Sequence, residues 1–192
     1  GILLRQLKSA LKDQSDAVYC QAFRDFSEAL NKATVAAARI ATEQVYQHVI
    51  AENDFYEACV TLPMRPIVLG GDDVTLFCRA DLALDYATTF CCAFKQESER
   101  ALVNVFKQYL SDSGLFPYIT ASGGILYHKA GHPFSHSHHL VEALCDKAKV
   151  LTKSVYGTQS NKVGPAALAF YRVSNATQSN LSQLLTQAQT FS

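Results

Sequence analysis

The chain has 192 residues, with 17 Lys+Arg against 17 Asp+Glu and 48% hydrophobic residues. That length suits one domain, the composition excludes a disordered chain, and the zero net charge argues against a general polyanion binder while leaving room for a local basic pocket. No apolar run approaches the ~20 residues that span a bilayer, and Arg5 and Lys8 interrupt the opening Ile2-Leu3-Leu4 before it reaches the length of a signal-peptide core.

Residues 2–11 carry Leu3, Leu4, Leu7 and Leu11 at helical spacing and predict a short amphipathic helix. A longer helix follows from about Ser15, placed to cap it, to about Ala51. Its apolar stripe is Tyr19, Ala22, Phe23, Phe26, Leu30, Ala33, Ala37 and Ile40, with Arg24, Asp25, Glu28 and Lys32 off it. Pro63 and Pro66 end helical character. The runs Ile67-Val68-Leu69 and Val74-Thr75-Leu76-Phe77-Cys78 then predict two strands, closed into a hairpin by Gly70-Gly71-Asp72-Asp73. Asp81 is expected to cap a helix of about thirty residues, with Leu82, Tyr86, Phe90, Ala93 and Phe94 on its apolar face and Gly114 and Pro117 past its end. Tyr118–Ser122, continuing through Ile125-Leu126-Tyr127, predicts a strand whose Gly123-Gly124 marks a bulge or a close backbone approach. Ser135–Lys153 reads as helix, Gly157–Pro165 as a polar loop and Ala167–Val173 as a last strand. The Ser/Gln/Thr-rich stretch from Thr177 reads as a marginal helix or frayed tail.

The order helix, helix, strand, strand, helix, strand, helix, strand implies an α+β fold, an antiparallel sheet covered by helices on one face. It is the split βαβ, ferredoxin-like arrangement without an opening strand. Residues 1–192 are expected to form one domain, with 176–192 as a C-terminal tail. Six cysteines without regular spacing do not make a disulfide scaffold. Cys20, Cys59, Cys78 and Cys145 stand in apolar stretches as reduced core thiols do, and the neighbours Cys91-Cys92 point apart on a helix. Reduced thiols place the chain in the cytoplasm. Its first residue is not Met, which reads as a fragment of something longer.

The chemistry concentrates at Gly70-Gly71-Asp72-Asp73. Paired glycines let a backbone approach a ligand with no side chain in the way. Two carboxylates beside the turn can converge on a divalent cation, or one can bind it while its neighbour supports it, and hard Mg²⁺ prefers such oxygen donors while keeping sites for phosphate and water. The competing reading is a hairpin turn with solvated aspartates, and four residues alone favour that one. The histidines His128, His132, His136, His138 and His139 form a second cluster. His132, His136 and His139, spaced four and three apart, suit zinc on a helical face, but Pro133 starts the helix after His132 and polar helix surface is the default.

The wider chain resembles the GGDD, or second, palm domain of the large subunit of type III CRISPR effector complexes. Leu62-Pro63-Met64-Arg65-Pro66-Ile67-Val68-Leu69 entering Gly70-Gly71-Asp72-Asp73 resembles that family's approach to its metal site, and Asp81-Leu-Ala-Leu-Asp-Tyr the start of its next helix. Gly124–Lys129 with His132-Pro133-Phe134, Glu142–Lys149 and Ala167–Val173 are similar to its following strand, helix and last strand. The resemblance implies a nucleotide cyclase or polymerase palm that joins ATP into cyclic oligoadenylates with Mg²⁺ or Mn²⁺, a signal of antiviral defence. Gly70 and Gly71 would approach the triphosphate, Asp72 and Asp73 would serve as metal ligands and catalytic groups, and Lys149, with Lys129 as a weaker candidate, would contact phosphate. The implied partners are other subunits of an RNA-guided complex or a second palm copy, with neither membrane nor sequence-specific DNA among them.

One departure sets the chain apart. The family's first strand, with its acidic residue and glycine-rich turn, has no counterpart here, and Gly1 is either the last residue of that turn or an addition. The expectation is a hairpin with an exposed edge, one metal ligand fewer and little turnover by the chain alone. The alternatives are a non-catalytic palm kept as scaffold or nucleotide sensor, and a diguanylate-cyclase-like enzyme using GTP. The latter's motif ends in Glu-Phe, where this chain has Asp73-Val74.

Overall fold

The longest element is a 37-residue helix, α2 (Asp16–Glu52), which follows a short α1 (Ile2–Ala10). The computed structural model describes residues 2–52, 63–110, 117–156, 163–173 and 189–191. After α2 come strands β1 (Met64–Gly70) and β2 (Asp73–Cys78), helix α3 (Ala83–Tyr109), strand β3 (Ser122–Tyr127), helix α4 (Phe134–Tyr156) and strands β4 (Ala167–Arg172) and β5 (Gln189–Phe191). The class is α+β, of the palm type, and the first eight elements follow the predicted order. The chain divides into two compact units, residues 1–119 and 120–192.

In the first unit α2 lies along α3, because small and aromatic residues share one face of α2. Leu3, Leu7 and Leu11 pack with Phe26 and Ala29 of α2 and with Leu102, Val105 and Phe106 of α3. Leu7 and Leu102 are fully buried, each contributing roughly 1.5–3 kcal/mol by leaving water. Farther along α2, Ala41 and Val45 meet Leu82 and Tyr86, and the inner face of the β1–β2 hairpin, through Met64, Leu76 and Cys78, packs on them. Cys20 is exposed rather than buried, because it sits about 100° around the helix from its neighbour Tyr19, off the Ala22–Phe26 face. Cys59 and Gly114 lie outside the described residues.

Three expectations in this unit and its border change. Asp81 does not cap α3: Arg79 takes both of its oxygens (Nε to Oδ1 2.8 Å, Nη2 to Oδ2 2.7 Å), and Leu82 occupies the cap position without a side-chain hydrogen bond. Residues 118–121 are not strand. Ile119 is held instead by buried Ser98, whose Oγ accepts from the Ile119 N–H (2.9 Å) and lies 3.2 Å from the Ile119 carbonyl, so one side chain replaces a ladder. Among the described residues the strands form two sheets, β1–β2 and β3–β4–β5, where one was expected.

In the second unit β3 and β4 pair in parallel, Ser122 opposite Ala167 through Tyr127 opposite Arg172, which the crossover through α4 permits. Leu144 and Ala148 of α4 pack on Ala167 and Ala169. Gly124 is not a bulge but a close approach, since a Cβ there would lie 2.4 Å from the Val141 carbonyl oxygen and 2.8 Å from the Cys145 nitrogen. Most of the predicted polar loop and tail lies outside the described residues, but Gln189–Phe191 is strand, neither helix nor frayed end. It pairs antiparallel with β4 and satisfies backbone groups of an otherwise bare edge.

Candidate functional site

The hairpin register pairs Gly70 with Asp73, so Gly71 and Asp72 form a two-residue turn. Gly71 has φ 59°, the left-handed region such a turn demands at its first position, and a Cβ there would meet nothing within 4 Å. Its glycine is thus required by backbone conformation and leaves one side of the turn open. Gly70 is in ordinary contact range of α2, with Asn31 Oδ1 3.7 Å from its would-be Cβ. Toward its other end the ladder shifts between Pro66 and Val68, leaving Ile67 without a register partner just after a residue that lacks a backbone N–H.

Two residues of α2 hold the turn. The Gly71 N–H donates to Asn31 Oδ1 (3.1 Å), and the Gly71 carbonyl accepts from the Thr34 hydroxyl (2.6 Å). Thr34 is 1% exposed, and its single proton is shared with the Leu30 carbonyl at 3.0 Å, the longer contact. Asn31 and Thr34 stand three apart and so on one face of the helix. Sequence reading passed over both. The available signal was Thr34 itself, a polar side chain among Leu30, Ala33 and Ala37, which needs a partner once buried.

Asp72 and Asp73 are exposed at the tip, and no ion pair or hydrogen bond engages either carboxylate among the described residues. Four of the predicted site residues, Gly70, Gly71, Asp72 and Asp73, therefore share one hairpin. The donor set is two adjacent carboxylates, chemistry that fits Mg²⁺ or Mn²⁺ and not a soft metal. Lys149 belongs to α4 in the second unit, exposed, with Nζ 3.4 Å from Asp146 Oδ1. Lys129 is exposed just beyond β3.

The histidines do not group as their spacing suggested. As Pro133 indicated, α4 begins at Phe134 and leaves His132 before the helix, and the His128–His132 and His132–His136 ring pairs each lie 5.4 Å apart between centroids, with His138–His139 at 6.5 Å. His138 and His139 turn to Glu142 instead, at 3.5 and 3.8 Å. His132 Nε2 is shielded from solvent and has no hydrogen-bond partner among the described residues, and burial, reinforced by His128 and His136, holds its pKa below the ordinary 6.5. Among the described residues no three His, Cys, Asp or Glu side chains are arranged to hold a metal ion.

A family model described as Cas10/Cmr2, second palm domain, matches residues 5–155, which contain the hairpin, α3, β3 and nearly all of α4. No curated protein matches the chain.

Proposed function

The chain belongs to the Cas10/Cmr2 second palm domain family, and from that premise we propose that its hairpin is a nucleotidyl-transfer site that binds a divalent cation through Asp72 and Asp73. The observation that carries the reading is the hairpin tip: two exposed, unengaged carboxylates beside a turn whose backbone is tied to α2 at both its N–H and its carbonyl. The proposed substrate is ATP, the reaction class cyclic oligoadenylate synthesis, and the setting a cytoplasmic RNA-guided antiviral complex whose other subunits, or a second palm, are the partners. No described helix is long and apolar enough to cross a membrane.

In this reaction the 3′-hydroxyl of one nucleotide attacks the α-phosphorus of another, forming a phosphodiester, breaking the α–β bond and releasing pyrophosphate and the hydroxyl proton. A bound Mg²⁺ or Mn²⁺ would supply Lewis-acid stabilisation of the charge on the phosphates. Asp72 and Asp73 would hold that ion, and the open side of Gly71 would admit the triphosphate without a steric barrier. A phosphate contact for Lys149, which stands beside Asp146 on α4, rests on the family resemblance alone.

The test is titration of the chain with Mn²⁺ and ATP, followed by incubation with labelled ATP and chromatographic resolution of the products, for wild type, Asp72→Asn and Asp73→Asn. Metal-dependent ATP binding lost in both variants supports the site. Nucleotide binding indifferent to metal and to both substitutions would overturn it in favour of the scaffold or sensor, and GTP bound in preference to ATP would point to the diguanylate-cyclase-like reading.

A further inference from the structure

We infer that Asn31 and Thr34 are positioning residues for the hairpin metal site, holding the turn so that the Asp72 and Asp73 carboxylates are preset for one cation. The inference rests on the reading that these carboxylates bind metal. Both backbone groups of Gly71 end on α2, the N–H on Asn31 Oδ1 at 3.1 Å and the carbonyl on the Thr34 hydroxyl at 2.6 Å. The residue so clamped immediately precedes the first carboxylate, and Asp73 follows directly as the first residue of β2.

The clamp is separate from what docks the hairpin. Met64, Leu76 and Cys78 anchor the hairpin's base against Ala41, Val45, Leu82 and Tyr86. Met64 stands at the opposite end of the seven-residue β1 from Gly70, roughly 20 Å away at strand spacing. Without the clamp the base therefore stays packed while the tip loses its two tethers. Each lone carboxylate binds a divalent cation weakly, so the geometry they share decides affinity, and a tip that must order itself on binding binds less tightly.

The experiment measures Mn²⁺ affinity of the full chain by electron paramagnetic resonance, with the signal lost in Asp72→Asn defining the hairpin site. Thr34→Val, which keeps shape and removes the hydroxyl, and Asn31→Ala are expected to weaken that affinity about five- to ten-fold, the cost of ordering a released tip, while the thermal midpoint falls by no more than the loss of one hydrogen bond. Thr34→Ser restores wild-type affinity, and Asn31→Ala accelerates amide exchange at Gly71. Unchanged affinity in both Thr34→Val and Asn31→Ala, or a serine variant as weak as the valine, overturns the inference. Should Thr34→Val fail to fold, Asn31→Ala, at an exposed position, decides alone. A wild-type chain whose Mn²⁺ signal ignores Asp72→Asn removes the functional reading and the inference together, whereas equal affinities around a working wild type remove the inference only.

Discussion

Gly71 shows how a residue with no side chain acquires a role. Its φ of 59° is one that a Cβ disfavours, yet nothing crowds the position a Cβ would take. Gly71→Ala is therefore expected to cost roughly 1–2 kcal/mol from backbone strain alone, and Gly71→Asn distinctly less, because asparagine tolerates the left-handed region. Urea denaturation of the two variants checks the order, and alanine as benign as asparagine would show that the turn relaxes. Thiol chemistry divides at the same scale. Burial pushes the Cys91 thiol up to about 11, whereas Cys20 and Cys92 are exposed. Iodoacetamide at pH 8 should alkylate Cys20 and Cys92 in the folded chain and reach Cys91 only after denaturation, as peptide mass mapping would read directly.

At the scale of elements, β3 and α4 approach closely enough to require a glycine between them. Gly124 lies under the backbone of α4, with the Val141 carbonyl and Cys145 amide inside any distance a methyl group tolerates. Gly124→Ala must push the helix away from the strand, opening the contact of Leu144 and Ala148 with Ala167 and Ala169. The expected loss is about 3 kcal/mol or more, at the upper end of overpacking costs because backbone cannot rotate aside as a side chain does. A midpoint within error of wild type would refute this. The hairpin is the contrasting element. It is pinned by apolar contacts at its base and by two hydrogen bonds at its tip, and Ile67, Val68, Leu69 and Phe77 remain 41–45% exposed along it.

At the scale of the whole molecule, pH is the variable that reads the packing. His132 has a shielded Nε2, and burial first, then the charges that His128 and His136 carry when protonated, hold its folded pKa below 6.5. The unfolded chain therefore binds this proton at higher pH than the folded one, so stability present above about pH 6.5 declines as pH falls from there through the folded pKa. Denaturant midpoints taken from pH 7.5 to 5 should fall, and His132→Gln should flatten the decline. A variant with the wild-type slope would assign the acid sensitivity elsewhere.

The helices, the hairpin and the Asp72–Asp73 tip were legible in the residues themselves, because helical periodicity, β-branched runs and a Gly-Gly-Asp-Asp turn are local signals that neighbouring residues alone produce. The family was legible too, since it rests on the order of such local segments. What tertiary structure decided was every question of partner choice. Asp81 went to Arg79 instead of a helix end, Ser98 took the backbone of Ile119 out of a ladder, and Gln189–Phe191 became a strand because β4 had an edge to fill. The strands divided between two sheets, and the histidines grouped as 128, 132 and 136, because a helix begun at Phe134 turns His139 to another side. The clamp on Gly71 belongs to the same class: Asn31 and Thr34 lie forty and thirty-seven residues from it in the chain, and only the packing of the hairpin on α2 makes them neighbours. A hydrogen bond depends on distance in space, and one sequence in isolation records distance only along the chain.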